Sequence, residues 1–535
     1  MRVWAPYASR VELDAEGRRE PMRATGRGWW EGRDLAPGTD YGFVLDGGEA
    51  LPDPRSPRQP DGVHGRSRTV SHEFAWTDAG FRAKPLADSV VYELHVGTFT
   101  PDGTFDAAIA RLPHLAGLGV DVVELLPVNA FPGRHGWGYD GVDLWAVHEP
   151  YGGPDGLKWL VDACHAHGLA VCLDVVYNHL GPAGNYLGRY GPYFTERYRT
   201  PWGPAVNYDD AGSDEVRAFV VDNATMWVRD YHVDGLRLDA VHAIYDQSAT
   251  HILEDVTKAL GDSAFVIAES DLNDPRVVTP RERGGLGCTA QWSDDFHHAL
   301  HAALTGERDG YYADFGPLSY VAKAMQGAYV YDGQYSAYRD RRHGRPVRDL
   351  PATAFLGYAQ DHDQVGNRAF GERTSHLLSP AQLNVAAALV LTAPFVPMLF
   401  MGEEWGATTP WQYFTDHEDA ALADAVRKGR REEFRAFGWD DVPDPQDPAT
   451  YERSRLDWSE VEAHADLLDW HKALIALRRS ESGLRDGRFA TARAEGTVLT
   501  VERGDVVVVA DVSGAPVRAD GDVLLAADGV AILRR

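Results

Sequence analysis

Apolar and polar residues alternate through the first 80 or so positions, where VWAP, RVELD, GWWEGRDL and DYGFVLDGG are short runs separated by turn residues. Such period-2 alternation predicts strands with one buried face. The segment reads as a small antiparallel, immunoglobulin-like β-sandwich. The proline-rich stretch from Leu51 to Gly65 predicts an extended loop. From Ser89 the pattern changes to continuous apolar runs of strand length alternating with amphipathic helices. Eight such runs are Val90 to Phe99, Asp121 to Val128, AVCLDVVYNH, GLRLDAV, AFVIAES, Cys288 to Asp295, Thr353 to Asp363, and VPMLFMGEEW. The helical stretches include DAAIARLPHLAGLG, LKWLVDACHAHG, VRAFVVDNATMWVRDYH and ATHILEDVTKALG. Strands buried on both faces and joined by helices require a parallel sheet with right-handed crossovers. Eight of them predict an α/β fold, a (β/α)8 TIM barrel carrying loop insertions. The helical run Asp466 to Ser480 closes it, and from about residue 485 the alternation returns, predicting a small C-terminal β-sandwich. The expected division is 1–85, 86–482 and 483–535. The acidic, aromatic-rich stretch from Pro410 to Trp458 has no clear period and reads as a barrel insertion.

Charge and cysteine content narrow the possible partners. The 535 residues carry 52 basic and 80 acidic side chains, a net charge of -28. That field repels nucleic acid and anionic membrane, so a neutral substrate suits the chain better, although excess acid also simply keeps a large protein soluble. Cys164, Cys172 and Cys288 are too few and too far apart for a disulfide framework or a zinc site. The sequence MRVWAPYASRVEL has no basic-then-apolar leader, and no apolar run reaches the ~20 residues of a membrane span. A cytoplasmic, soluble protein is expected.

Four of the runs end in ionisable side chains: DVVYNH (Asp174 to His179), GLRLDAVH (Gly235 to His242), VIAES (Val266 to Ser270) and AQDHDQ (Ala359 to Gln364). Chemistry at the carboxyl ends of successive strands is how a barrel presents an active site. Asp239 and Glu269 fall at the ends of adjacent predicted strands, and two carboxyl groups flanking a cleft are what glycoside hydrolysis needs. Arg237, two residues before Asp239, shares its strand face and would keep it ionised. Glu269 needs the reverse, a raised pKa, to act as an acid. Asp363 supplies a third carboxylate at the end of another strand, and His179 a donor to sugar hydroxyls. Asp174, inside its strand, is expected to be a buried partner of Arg237. Taken singly, these acids read equally well as solvated strand ends or ion pairs. Their fixed order argues otherwise.

The four segments resemble the four ordered motifs of the α-amylase superfamily of glycoside hydrolases, over roughly Val90 to Ser480. That resemblance implies Asp239 as nucleophile, Glu269 as general acid/base and Asp363 as transition-state stabiliser. It makes Arg237, His179 and His362 supporting residues. GWGYDGV (Gly136 to Val142) resembles the loop after the second strand, which implies that Tyr139 stacks under the sugar and Asp140 braces the pocket. Finer stretches resemble one family within it, the maltooligosyltrehalose trehalohydrolases. They are QPDGVHG, LRLDAVHAI, AESDLNDPR, QWSDDFHHALH and QDHDQVGNR, together with the amino-terminal VWAPYASRVEL. This resemblance implies cleavage of the α-1,4 bond next to a terminal trehalose in maltooligosyltrehalose. It also implies a pathway partner, the maltooligosyltrehalose synthase. His242 stands one residue nearer the nucleophile than the histidine closing this motif in many α-amylases, so it is carried only as a contact beyond the scissile bond. Asp271 and Asn273 either reach hydroxyls there or cap the following loop, the second being preferred.

Other signals are set aside. Gly136, Gly138 and Gly141 form a GxGxxG with no helix after it, which argues against a dinucleotide site. His297 and His301 have helical zinc spacing but no third ligand, and no calcium loop is evident, so no metal and no cofactor are expected. Trp4, Trp29 and Trp30 fit a sandwich core better than a sugar platform. A branching enzyme with the same barrel, and a glucan-binding protein without activity, are the rival functions.

Overall fold

The computed structural model describes residues 1–435, 442–518 and 520–535. Eight parallel strands close into a barrel in chain order: Val91–Leu94, Val122–Leu125, Ala170–Val175, Gly235–Leu238, Phe265–Ala268, Ala290–Trp292, Phe355–Gly357 and Val396–Phe400, which pairs back with the first. All eight fall within the runs read from the sequence. Apart from half-buried Phe265, every one of their residues is buried, which is why they are rich in Val, Leu and Ile and have no solvent-facing polar side. The third and fourth strands pair with Asp174 opposite Arg237, so the register itself sets these two side by side.

Some elements differ from expectation. The first strand ends at Leu94, and Val96–Phe99 is a helical turn. His95 starts it, holding Thr98 Oγ1 at 2.9 Å and the Gly136 carbonyl at 2.9 Å. The helix expected through DAAIARLPHLAGLG is two, Phe105–Ile109 and Leu112–Leu118. Pro113 has no N–H to continue the first, and sits where the first turn of the second needs none.

The helix Ala465–Ser480 closes the barrel and its Arg478 is buried. The guanidinium donates to the carbonyls of Leu391, Ala393 and Phe395 at 3.0, 2.9 and 2.6 Å. These lie at and just beyond the end of the helix Pro380–Leu391, where carbonyls lack helical partners.

Before the barrel, Arg2–Trp4, Trp29–Glu31 and Arg23–Gly26 form one antiparallel sheet, and Val11–Ala15 and Asp40–Leu45 are the centre of a second. Trp4 is buried edge-on to Tyr193 of the barrel at 5.3 Å, and the Trp4 and Trp30 indoles donate to Arg27 and Ala5 carbonyls. The chain ends in a five-stranded antiparallel sheet against the helices Leu318–Gly327 and Pro380–Leu391. All three cysteines are free and buried. Among the described residues no helix is long and apolar enough to cross a membrane.

Within the insertion, Ala420–Arg435 and Pro448–Arg453 are helical. Its Trp411 is buried, stacks on Trp137 at 5.4 Å and donates to the His362 carbonyl at 3.1 Å. The insertion therefore props the floor of the site described next.

Candidate active site

Arg237 is the hub of the cleft at the carboxyl ends of the strands. Its side chain has no exposure, and its Nη1 donates to Asp174 Oδ2 and Asp239 Oδ1, both at 2.8 Å. Nη2 donates to Glu269 Oε2 at 3.1 Å. One guanidinium thus bridges the two carboxyl groups expected to do the chemistry, while Trp292 covers its face at 4.4 Å.

The two carboxyl groups are pushed in opposite directions. Burial favours the protonated form of Asp239, but Arg237, His179 and the Asn178 amide outweigh it and hold its pKa below the usual carboxylate value. Asn178 Nδ2 donates to Asp239 Oδ2 at 2.7 Å, so both oxygens of the carboxylate are satisfied as an anion. Burial pushes Glu269 well above its usual value, and the neighbouring charges of Asp239, Asp363 and Asp294 add to this against Arg237. Its two donors, Arg237 and the Ala240 N–H at 2.7 Å, reach the same oxygen, Oε2. The proton therefore belongs on Oε1. Ala240 adopts a left-handed backbone, φ 39° and ψ 51°, rare for a residue with a Cβ, and in that conformation its N–H reaches Glu269.

A second chain of contacts crosses the barrel. Glu93, inside the first strand, receives the His362 N–H at 3.0 Å and holds His362 Nδ1 at 2.5 Å. Against burial, Glu93 and then Asp363 raise the imidazole to about 10, so it is a cation at neutral pH. Nε2 donates to the Tyr139 hydroxyl at 2.8 Å, which donates in turn to Asp174 Oδ2 at 2.7 Å. Tyr139 lies over the His362 ring with centroids 5.2 Å apart.

Asp363 is not at a strand end, as the sequence suggested. The seventh strand stops at Gly357, and Asp363 lies in the first turn of a short helix, His362–Gly366. Asp361 caps that helix by accepting the Gln364 N–H, and so ends the extended run. Asp363 nevertheless belongs to the site: its carboxylate is 3.6 Å from His362 Nε2 and, at 38% exposure, is the most open of the three acids.

The remaining residues divide. His179 stacks on Trp202 at 4.1 Å and 6° between planes, and reaches the Tyr139 carbonyl at 3.0 Å. Asp140 stands 3.8 Å from His417 of the insertion. His242 lies in a short turn after the fourth strand, its Nδ1 buried without a hydrogen-bond partner among the described residues. Asn273 is structural: it donates to Asp295 at 2.8 Å and to the Tyr331 carbonyl at 3.0 Å. The rings of His297 and His301 are engaged by the Ala359 carbonyl, Tyr312 and Glu307 rather than converging. Among the described residues no group of three or more His, Cys, Asp or Glu is placed to hold a metal ion.

Sequence reasoning missed Glu93, Asn178, Trp202 and Trp292. Glu93 had a signal: a lone carboxylate in an apolar run predicted buried on both faces must have a cation nearby. Asn178 stood inside a motif already singled out. Trp202 had none, since nothing local places the hairpin Phe194–Thr200 and Gly203–Val206 over His179.

Comparison with known proteins identifies the family. Residues 67–200 match the alpha-amylase catalytic-domain family. A malto-oligosyltrehalose trehalohydrolase of Arthrobacter ramosus is 52% identical, over 96% of this chain and 93% of its own length. One from Saccharolobus solfataricus is 46% identical, over 95% and 90%. A branching enzyme of Corynebacterium jeikeium reaches only 26%, over 76% of this chain and 61% of its own. Among solved structures, a Salmonella typhimurium protein classed with the alpha amylases superposes with a TM-score of 0.93, at 36% identity, covering 100% of this chain and 97% of its own. The chain belongs to the malto-oligosyltrehalose trehalohydrolase family of the α-amylase superfamily.

Proposed function

We propose that the protein is a retaining glycoside hydrolase that cleaves the α-1,4 bond adjacent to the terminal trehalose of maltooligosyltrehalose, releasing trehalose and a shortened maltooligosaccharide. The observation that carries this reading is Arg237 bridging Asp239 and Glu269, one carboxyl held ionised and the other held protonated. Asp239 attacks the anomeric carbon while Glu269 protonates the departing oxygen of trehalose. Glu269, now an anion, then takes a proton from water, which attacks the same carbon and frees Asp239, so two inversions give net retention. Asp363, the most open acid, grips sugar hydroxyls as the ring flattens, helped by the His362 cation and His179. Tyr139 packs against the sugar from the His362 side. Asp140 braces that loop, and His242 contacts the substrate beyond the scissile bond. No metal or cofactor enters any step. The substrate is supplied by a synthase that builds the trehalose cap, in the cytoplasm.

The branching reading is weaker because the relative bearing that name is far less similar than the trehalohydrolases. The test is to incubate the protein with trehalose-capped and with plain maltooligosaccharide and to resolve the products. Trehalose released from the first is expected, with the α-anomer of the other product appearing first by NMR. New α-1,6 branches without trehalose would reject the reading.

A further inference from the structure

The fifth, sixth and seventh strands bring a further carboxyl group to the site, that of Asp294. Ala268 pairs with Gln291, and Trp292 with Leu356, so Glu269, Asp294 and Tyr358 all fall just past the ends of three neighbouring strands. Gln291 Nε2 donates to the Ser270 carbonyl at 3.0 Å, and the Ser293 N–H to the Leu356 carbonyl at 2.9 Å, which ties those ends together. Asp294 is half-buried and opens the helix Asp294–Thr305. None of the steps proposed above uses it.

Its carboxyl is held by a fixed donor. The Tyr358 hydroxyl donates to Asp294 Oδ1 at 2.6 Å. Trp292 meets the phenol edge-on at 5.5 Å, and His297 stacks on it at 5.5 Å while its Nδ1 donates to the Ala359 carbonyl at 2.9 Å. Trp292 also covers Arg237, so one aromatic wall runs from the guanidinium that holds Glu269 to the phenol that holds Asp294. The hydroxyl donor and the N–H groups of the helix's first turn both favour an anion at Asp294.

The groups around each acid are mostly of like charge. Burial lifts the Asp294 carboxyl to about 7 against the pull of the Tyr358 hydroxyl, and the charges of Asp271, Asp295 and Asp363 add to the rise. Around Glu269 stand Arg237, Asp239, Asp363 and Asp294 itself. Two neighbouring carboxyl groups lose their protons in two steps, and the charge formed first delays the second.

Resting on the function proposed above, we propose that Asp294 is a positioning residue for the proton transfer: held by Tyr358, it ionises first, and its charge makes Glu269 keep a proton until the departing oxygen takes it. The proton that is transferred is still the one on Glu269. Asp294 extends the pH range over which that proton is there to give.

The test uses the full chain, with kcat/KM on trehalose-capped maltooligosaccharide followed across pH for wild type, Asp294→Asn and Tyr358→Phe. Asparagine keeps an oxygen to accept from Tyr358, so shape stays and charge goes. Without that charge Glu269 loses its proton sooner, so the alkaline limb should move about one pH unit lower. On the far side of both limbs, activity relative to each protein's own plateau then falls about tenfold more than in wild type. Tyr358→Phe delays the ionisation of Asp294 and should move the limb the same way by less. A limb that stays in place in Asp294→Asn, or a loss equal at every pH, would overturn the assignment, the second being what a packing role gives. Difference infrared spectra against Glu269→Gln, made in each background, follow the protonated Glu269 carboxyl without turnover. If wild type released no trehalose, the function would fall, yet earlier loss of that band in Asp294→Asn would still support the pairing. Loss at the same pH in both would count against it.

Discussion

Glu93 and His362 hold one another through two contacts, backbone N–H to Oε2 at 3.0 Å and Nδ1 to Oε1 at 2.5 Å, with both side chains essentially unexposed. They come from the first and seventh strand regions, 269 positions apart. A buried imidazole facing a buried carboxylate is charged because the alternative, a lone buried anion, costs more. The pair settles the direction of every hydrogen bond downstream, from His362 to Tyr139 and on to Asp174.

Glu93→Gln should therefore act through pH. The raised His362 value of about 10 rests on Glu93 first among its partners, so without it the imidazole loses its proton nearer neutrality. The contribution of that charge, present below the ordinary histidine pKa, now disappears well below pH 10. kcat/KM of the variant should fall roughly tenfold to hundredfold relative to wild type at pH 9 and much less at pH 5, by loss of a charge-assisted bond. Parallel profiles for the two proteins would contradict it.

Asp239→Asn keeps shape and removes charge. Trehalose release should drop by at least about 10³-fold, the scale on which enzymes depend on single reacting groups. Calorimetric affinity for the capped substrate should stay within a few-fold. A variant retaining a tenth of wild-type turnover would mean that another group attacks.

For wild type, the pH dependence of kcat/KM should be bell-shaped. Asp239 must be ionised and its pKa is lowered, so the acid limb lies below the ordinary carboxylate range. Glu269 must be protonated and its pKa is raised, so activity persists well above pH 4.5 and then falls on the alkaline side. Loss of that alkaline limb in Glu269→Gln, measured with an activated substrate that needs no acid, would identify the group. An unchanged limb would assign it elsewhere.

Arg478→Met should destabilise without touching chemistry. It strands the carbonyls of Leu391, Ala393 and Phe395, three buried acceptors, at a cost of roughly 3 kcal/mol or more. The unfolding midpoint in urea should drop, while kcat of the folded fraction stays constant. A midpoint equal to wild type would show that water replaces the guanidinium.

Much of this protein is written locally. The eight runs of Val, Leu and Ile could only be strands covered on both faces, and their spacing by helices forces a parallel closed sheet. Asp239, Glu269 and Arg237 were legible because each sits within a residue of a strand end, where period and position are set by the strand itself. Asp363 was identified but misplaced, since an Asp361 cap turns an apparently continuous run into a helix.

Tertiary structure decided what depends on distant segments. Glu93 meets His362 and Trp202 covers His179 only when the barrel closes and a hairpin folds back over it, and no periodicity carries that information. The opposed protonation of Asp239 and Glu269 belongs to the same class. Their side chains are chemically alike, and only burial and the charges around each one push their proton affinities apart.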